Sequence, residues 1–434
     1  MSDLSPRSNF GRLRSWGQRG SIALFDHGVF SGSNFILNIL LARWLASPDY
    51  GAFAVAYSVF LFLSGFHNAI LLEPMSVIGP ANYANRLDDY LGQQIRLNFV
   101  LTVPLGLLMA ALGWFVLVAG LGDPWLSRSL IGAGMALPFM LFLWVIRRAF
   151  YVAQRPMGAL ISSVLYATTL LSALWLAHKM NLDSSSVGFV VMGASSLLAG
   201  VLSLRLGKVG IGKASAALAR ELLGVQWGFG KWIVAATIPM LAAGQAQTFF
   251  TAAMVSLEAA GVLRALLNVI QPMVQAVTAI GTVGLPALAA DFGRGNLSGL
   301  RRKGVFVSLT LAGMALVYEL VICFEAGPIE ELLYGGKYAA YSWLIAPLGL
   351  IPIFIALPTG ILLILRAIQQ PRIYLISGGV TAVVGVASGI MLIPIWGVAG
   401  AAASLVLTYG ANILVAFYFH LRWFPRIRES KGEA

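Results

Sequence analysis

The chain has 434 residues, of which 59% are hydrophobic and 11% are charged, and its formal net charge is +12. Soluble domains carry about 25% charged residues, so this chain lacks the polar side chains that would cover a water-exposed surface. The composition therefore excludes an assembly of soluble domains. The positive charge is better explained by basic loops at an anionic membrane surface than by nucleic-acid binding, so no nucleic-acid partner is expected.

Twelve apolar segments of spanning length follow one another along the chain, joined mostly by short connections. A segment of about 18 or more mostly apolar residues is long enough to cross the hydrocarbon core of a bilayer. The predicted spans cover residues 21–42, 50–72, 95–120, 129–152, 158–178, 186–206, 229–254, 261–286, 304–325, 341–365, 373–394 and 398–421. The sequence therefore predicts an all-α integral membrane protein with about 12 transmembrane helices.

The first segment follows a basic N-terminus and resembles a signal peptide only superficially. Its apolar run continues through Asn34 and Asn38 without a small-residue cleavage site, so it is expected to be a retained span. Cys323 is the only cysteine, which rules out an intrachain disulfide. Because it lies in an apolar run, it is expected to be a small core residue.

The distribution of Lys and Arg predicts the orientation. With the N-terminus inside, 24 of the 29 Lys and Arg residues lie at the inner side, and one, Arg264, falls within a span. Four lie outside: Arg43, Arg128, Lys179 and Lys337. Positive residues favour the cytoplasmic side, so both termini are predicted to be cytoplasmic. A missed span would break the alternation, and the count therefore also favours twelve.

A six-span repeat divides the predicted spans into two halves. Residues 42–51 and 252–261 share small residues, a serine, an acid and a glycine in the same order at an outer turn. Weaker matches relate 154–156 to 369–371 and 187–196 to 396–404. The predicted domains are an N-terminal six-helix bundle (1–206), a cytoplasmic linker (207–228) and a C-terminal six-helix bundle (229–434). Such a parallel repeat is typical of transporters with a cavity between two halves.

These segments resemble the MOP superfamily, which includes MATE exporters, the lipid II flippase and the Wzx-type polysaccharide transporters. The similarity lies in Leu40-Leu41-Ala42-Arg43 with Ser47-Pro48-Asp49-Tyr50-Gly51, in residues 148–156, and in residues 397–402. Twelve spans fit the Wzx-type and MATE branches better than the lipid II branch, which typically has fourteen.

The resemblance implies an activity and a location. It implies a flippase for an undecaprenyl-pyrophosphate-linked oligosaccharide in the bacterial inner membrane, serving polysaccharide, O-antigen or exopolysaccharide biosynthesis. Polysaccharide polymerase and export machinery would be its partners. No cofactor is expected, since there is no Gly-rich loop ending in Gly-Lys-Ser/Thr for ATP.

Three arginines are candidates for binding the pyrophosphate, because a guanidinium can donate to two phosphate oxygens at once. Arg264 lies inside predicted span eight, although it could also extend to the outer headgroups or pair with Glu258. Arg148 lies beside Arg147 near the inner end of span four, and at most one of these neighbours is expected to face a cavity. Arg366 is at the comparable end of span ten. Positive-inside anchoring is the alternative for both inner-end candidates.

Polar stripes at helical spacing give further candidates. A polar stripe on a spanning helix should face protein or water, so each could line a cavity or hydrogen-bond a neighbouring helix. Span one carries His27, Ser31, Asn34 and Asn38; span eight carries Arg264, Asn268, Gln271 and Gln275; and span seven adds Gln245 and Gln247. Ion coupling would need a titratable group at membrane depth, and the candidates are Asp26, His27 and Glu319.

Other functions remain open at this point. A MATE-like drug or cation antiporter would share the fold, but cationic cargo favours acidic rather than basic groups in the cavity. A polytopic polysaccharide polymerase or glycosyltransferase would normally need a large outer loop or paired catalytic acids, so an enzyme is not expected. A non-transporting partner in a polysaccharide assembly is the third alternative.

Overall fold

The computed structural model describes residues 6–430 except 121, 208, 209, 211, 213, 214, 294, 295 and 368–370. Every regular element in this part of the chain is helical. The helices are α1 (Pro6–Trp44), α2 (Ser47–His67), α3 (Glu73–Asn82), α4 (Leu87–Val118), α5 (Pro124–Val152), α6 (Pro156–Lys179), α7 (Ser185–Gly207), α8 (Ala216–Met254), α9 (Leu257–Gly293), α10 (Leu297–Phe324), α11 (Ala326–Tyr334), α12 (Ile345–Ala367), α13 (Pro371–Trp396) and α14 (Val398–Ser430). A π-helical turn, Asn68–Leu72, joins α2 directly to α3.

The prediction of an all-helical, multi-pass membrane protein is confirmed. Within the described residues, ten helical segments are long and apolar enough to cross a membrane. Predicted spans one and seven lie on α1 and α8, which are not among these ten, so the count of twelve and the orientation stay predictions. The sequence did not predict α11, a nine-residue helix in what was expected to be an outer loop.

Local sequence signals explain where several helices begin and end. Proline occupies the start of α5 and α6, where its missing N–H would have had no helical partner. The Asp123 carboxylate accepts a hydrogen bond from the Trp125 backbone N–H at 2.8 Å and caps α5. Asn296 caps α10 in the same way, and Gly335 ends α11 with a left-handed φ of 67°.

The first compact unit comprises Met1–Leu37 and His67–Lys231. Helices α4 and α5 pack with their backbones in contact, because a Cβ atom on Gly134 would lie 2.5 Å from the Gly106 carbonyl oxygen. Small residues let membrane helices approach closely where lipid provides no hydrophobic driving force. A hydrophobic core of this unit is formed by large buried side chains that include Met75, Tyr90 and Val145.

The second compact unit comprises Asn38–Phe66 and Trp232–Ala434. Its α10 and α12 approach through Gly304 and Gly360, where an added Cβ on Gly360 would overlap the Gly304 carbonyl group. Residues 38–66 therefore belong to the same compact unit as the C-terminal half. The division into bundles of residues 1–206 and 229–434 stays a prediction.

The structure corrects the expectation for Cys323, whose side chain is exposed. An apolar run in a membrane protein faces lipid as well as the protein core, so apolar sequence neighbours do not determine burial.

Candidate functional site

An aromatic ladder runs along the face of α2 in the second unit. Tyr50, Phe53, Tyr57 and Phe60 recur at three- and four-residue spacing, and all are buried. Consecutive ring centroids lie 6.0, 5.5 and 5.7 Å apart, each pair stacked. This spacing places side chains one above the other on a helix, so the ladder is a direct product of the sequence pattern. It forms a rigid, apolar surface against which polar groups of α9 pack.

Arg264 on α9 lies against this aromatic ladder. Its Cζ atom is 5.0 Å from the centroid of the Tyr57 ring, which is cation–π distance. The Nε atom is buried without a hydrogen-bond partner, and none of the three ion pairs among the described residues includes Arg264. The alternative that Arg264 pairs with Glu258 is therefore not realised in this structure. The described contact of its guanidinium is therefore the Tyr57 ring.

Asn268, one turn further along α9, connects the same two helices. Its Nδ2 atom donates to the Tyr50 hydroxyl at 3.0 Å, and its side chain is 2% exposed. Along the stripe that begins at Arg264, Gln271 is half-buried and Gln275 is exposed. Asn268 is therefore an interhelical contact, whereas the two glutamines keep an accessible polar surface.

Two tyrosines on neighbouring helices, Tyr318 on α10 and Tyr334 on α11, hydrogen-bond to the backbone of α9. The Tyr334 hydroxyl donates to the Ala265 carbonyl at 2.8 Å, and the Tyr318 hydroxyl donates to the Val269 carbonyl at 2.5 Å. Burial raises the pKa of Tyr334, which keeps its hydroxyl protonated as a donor. Both contacts are near Arg264 in sequence, so they restrict the position of the helix that carries the guanidinium.

Cations hold the end of α1 in the second unit. The Lys337 ammonium donates to the Ala42 carbonyl at 2.8 Å and also to the Leu45 carbonyl, and Arg43 donates to the Leu332 carbonyl at 3.4 Å. Positive charge at a helix C-terminus is stabilising because the last carbonyls have no helical partner. Burial lowers the pKa of Lys337, and the Glu258 carboxylate opposes that shift. These contacts join the first predicted outer turn to α11 and the residues that follow it.

The first unit contains a separate polar cluster around Asp26. Its carboxylate accepts two hydrogen bonds from Arg147, at 2.8 and 3.3 Å, and one each from Tyr151 and Ser163, both at 2.5 Å. Asp26 is 1% and Arg147 14% exposed. The Arg147 guanidinium also lies over Phe30, 4.0 Å from its ring centroid. This network fixes α1 to α5 and α6.

Of the remaining candidates, Asn34 adjoins the Asp26 cluster, because its Nδ2 atom donates to the Phe30 carbonyl at 2.8 Å, whereas the described hydrogen bonds of the others lie elsewhere. The Arg148 guanidinium donates to Ser76 at 3.0 Å, and the Tyr166 hydroxyl donates to Asn34 at 3.1 Å. Gln247 donates to the Gly385 carbonyl and to Ser404, so it connects α8 with α13 and α14. Asn38 is buried, Gln245 is half-buried, and His27 is exposed. The Arg366 side chain lies outside the described residues.

Sequence reasoning missed the aromatic ladder and the tyrosines that hold α9. The three- and four-residue spacing of Tyr50, Phe53, Tyr57 and Phe60 was a visible signal, because it is the spacing of one helix face. The bond from Tyr334 to Ala265 had no comparable signal, since a backbone carbonyl carries no sequence information.

Together these observations define an all-helical, multi-pass fold with polar clusters between its helices. No family model matches the chain, and no curated protein sequence matches it. Several solved structures, in contrast, match it over most of its length. The lipid II flippase MurJ in an inward closed conformation superimposes with a TM-score of 0.72 at 14% identity, over 95% of this chain and 90% of that chain.

Two further structures show the same relationship. A MOP superfamily transporter from Pyrococcus furiosus gives a TM-score of 0.67 at 12% identity, over 95% of this chain and 96% of that chain. The eukaryotic MATE transporter AtDTX14 gives 0.67 at 16% identity, over 96% and 99%. The chain therefore has the fold of the MOP superfamily, as the sequence resemblance implied.

Proposed function

We propose that this protein is a flippase that translocates a lipid-linked oligosaccharide, attached through undecaprenyl pyrophosphate, across the bacterial inner membrane by alternating access. The proposal places the pyrophosphate at Arg264 and the sugar near the amide side chains of Gln271 and Gln275. The glycan would serve the synthesis of a surface polysaccharide, with a polymerase and export machinery acting on the product.

The observation that carries the proposal is the unpaired guanidinium of Arg264 within a predicted membrane span. A charge in a span is costly to insert, by up to about 2.5–3.5 kcal/mol at the centre and by less toward the span end where Arg264 lies, so an arginine without an acidic partner calls for a functional explanation. A pyrophosphate supplies the missing negative charge and can accept two parallel hydrogen bonds from the guanidinium. The Tyr57 ring, with its negative face toward Arg264, holds the cation in place until the anion binds.

The fold supports the transporter class. The MurJ structure belongs to a lipid II flippase, and the other two structures belong to a MOP transporter and a MATE transporter. A cationic cavity group favours an anionic, lipid-linked cargo over the cationic cargo expected of a drug antiporter. The unpaired arginine therefore favours the flippase hypothesis over the antiporter hypothesis.

Reconstituted flipping of a fluorescent undecaprenyl-pyrophosphate oligosaccharide tests the proposal. A hydrogen bond to a charged group contributes about 1.5–3 kcal/mol, which corresponds to about 10- to 150-fold in an equilibrium constant. Arg264→Ala should therefore reduce flipping about tenfold or more, and Arg264→Lys should retain part of it, because lysine keeps the charge without the planar fork. Arg128→Ala is the matched control, since Arg128 is another predicted outer-side arginine but is exposed at the start of α5.

Two results would reject the proposal. One is flipping by Arg264→Ala at the rate of the wild type, which would make Arg264 an anchor. The other is that the wild-type protein moves no lipid-linked sugar but transports cationic dyes, which would favour the drug antiporter.

In cells, deletion of the gene should cause undecaprenyl-linked sugars to accumulate on the cytoplasmic side.

A further inference from the structure

Glu319 is a carboxyl group buried within the membrane-spanning part of α10. It lies one turn before the helix ends at Phe324, inside the spanning segment Ser298–Phe324, and it is 6% exposed. The carboxyl group lies directly on the backbone of α12 at Gly349. A Cβ atom on Gly349 would be 2.6 Å from the Glu319 Cδ atom, so the glycine leaves the space that the carboxyl group occupies.

The carboxyl group has almost no polar partners. Its Oε1 atom accepts a hydrogen bond from the Cys323 thiol at 3.2 Å, and a thiol is a weak donor. Its Oε2 atom is buried without any hydrogen-bond partner. None of the ion pairs in the described part of the chain includes Glu319.

The helices packed against α10 do not supply a counter-charge. The described residues of α12 facing it, 345–365, contain no titratable side chain. On α9, Arg264 lies over Tyr57, and on α11, Glu330 accepts from the Tyr338 backbone N–H. The other titratable side chains described on the later part of α10, on α9 and on α11 are Glu258, Tyr318, Cys323, Glu331 and Tyr334, and none of them can carry a positive charge. The cations of α10, Arg301, Arg302 and Lys303, lie at least 16 residues before Glu319, more than four helical turns away, so they supply no counter-charge to it.

An unpaired carboxylate in an apolar environment neutralises rather than remaining charged. The neutral acid carries an O–H group, and it can lie against the α12 backbone without a counter-ion. We propose that Glu319 is a proton-binding site that is occupied while its carboxyl group lies on Gly349. When water reaches this contact, the O–H bond breaks, the electron pair stays on the oxygen and the proton passes to water.

This site would connect proton binding to conformation. The charged carboxylate is unfavourable at the contact with Gly349 on α12. Protonation of Glu319 therefore favours this contact, and the contact favours protonation, as linkage requires. A proton gradient could therefore drive transport. This second step rests on the proposed transport function, whereas proton binding does not.

Infrared titration of the full-length protein in lipid bilayers tests the site without any cargo. At neutral pH, exposed carboxyl groups are ionised, so a protonated-carboxyl C=O band must come from a buried acid. We expect such a band in the wild type and in Glu325→Gln, an exposed acid six residues away, and its loss in Glu319→Gln. Glu319→Asp and Gly349→Ala should shift the band, because each changes the contact with α12. A wild type without the band, or a Glu319→Gln variant that keeps it, overturns the inference.

Flipping with and without an imposed proton gradient then tests coupling. The gradient should accelerate flipping by the wild type severalfold. In Glu319→Gln, the ratio of the flipping rate with the gradient to the rate without it should be near one. Equal acceleration in both overturns the coupling. If the infrared band belongs to Glu319 but the protein flips no lipid-linked sugar, the proposed cargo fails and the proton site stands.

Discussion

The Asp26–Arg147 pair offers a quantitative test of what holds the first unit together. Asp26→Asn keeps the size of the side chain and removes its charge. Breaking a buried ion pair by removing one partner costs about 3–5 kcal/mol, because the other charge is left uncompensated. Here Arg147 is 14% exposed and lies over the Phe30 ring, so water and the ring partly compensate the charge that the substitution leaves unpaired. The expected cost is therefore somewhat below this range, about 2–3 kcal/mol.

Thermal unfolding of the purified protein, followed by the fluorescence of its 11 tryptophans, measures this cost. For a unit of this size, 1 kcal/mol corresponds to about 2–4 °C, so Asp26→Asn should lower the Tm by about 5–10 °C. A double-mutant cycle with Arg147→Gln isolates the pair, since contacting residues give non-additive changes. The double variant should be more stable than the sum of the single changes predicts, by more than 1 kcal/mol.

Asp183→Asn is the matched control. Asp183 pairs with His178 at 2.9 Å, but both side chains are about one-third exposed, at 30% and 36%. Exposed pairs contribute about 0–1 kcal/mol, so this variant should change the Tm little. Equal Tm changes in Asp26→Asn and Asp183→Asn, or strict additivity in the cycle, would refute the reasoning from burial.

Two further predictions use the same unfolding assay. Gly134→Ala should destabilise the protein by about 1–3 kcal/mol or more, because the added methyl group collides with a backbone carbonyl of α4. Gly224 lies in open space on α8, so Gly224→Ala should be neutral or stabilising. Lys337→Met should lower stability by about 1–3 kcal/mol through loss of its bond to Ala42, and the exposed Lys179→Met should not. Unfolding temperatures that are the same within either pair would contradict these explanations.

The helices themselves were largely predictable from sequence. Apolar length and the alternation of basic loops are strong signals in membrane proteins, because every backbone polar group in lipid must be paired within a helix. Helix α11 was missed because its nine residues are too short for a spanning signal. Its acids, Glu330 and Glu331, and the glycines that follow it suggest a loop. The joining of α2 and α3 through a π-helical turn also has no clear sequence signal.

The candidate site was predictable only in part. The spacing of Arg264, Asn268, Gln271 and Gln275 correctly indicates one helix face, since that follows from helical geometry. Which partner each residue meets does not follow from spacing. Asp26 and Arg147, for example, are 121 residues apart in the sequence. Helices in lipid present similar apolar faces to many neighbours, so the choice of neighbour depends on shape details that a sequence pattern does not contain.

The glycine contacts between α4 and α5 and between α10 and α12 have an evolutionary consequence. A position that faces lipid accepts almost any apolar side chain, whereas Gly134 and Gly360 accept only a hydrogen atom without moving a neighbouring backbone. The constraint on helix pairing is thereby concentrated in a few positions of the sequence. We expect most of the other positions to tolerate apolar substitutions while the arrangement of the helices persists.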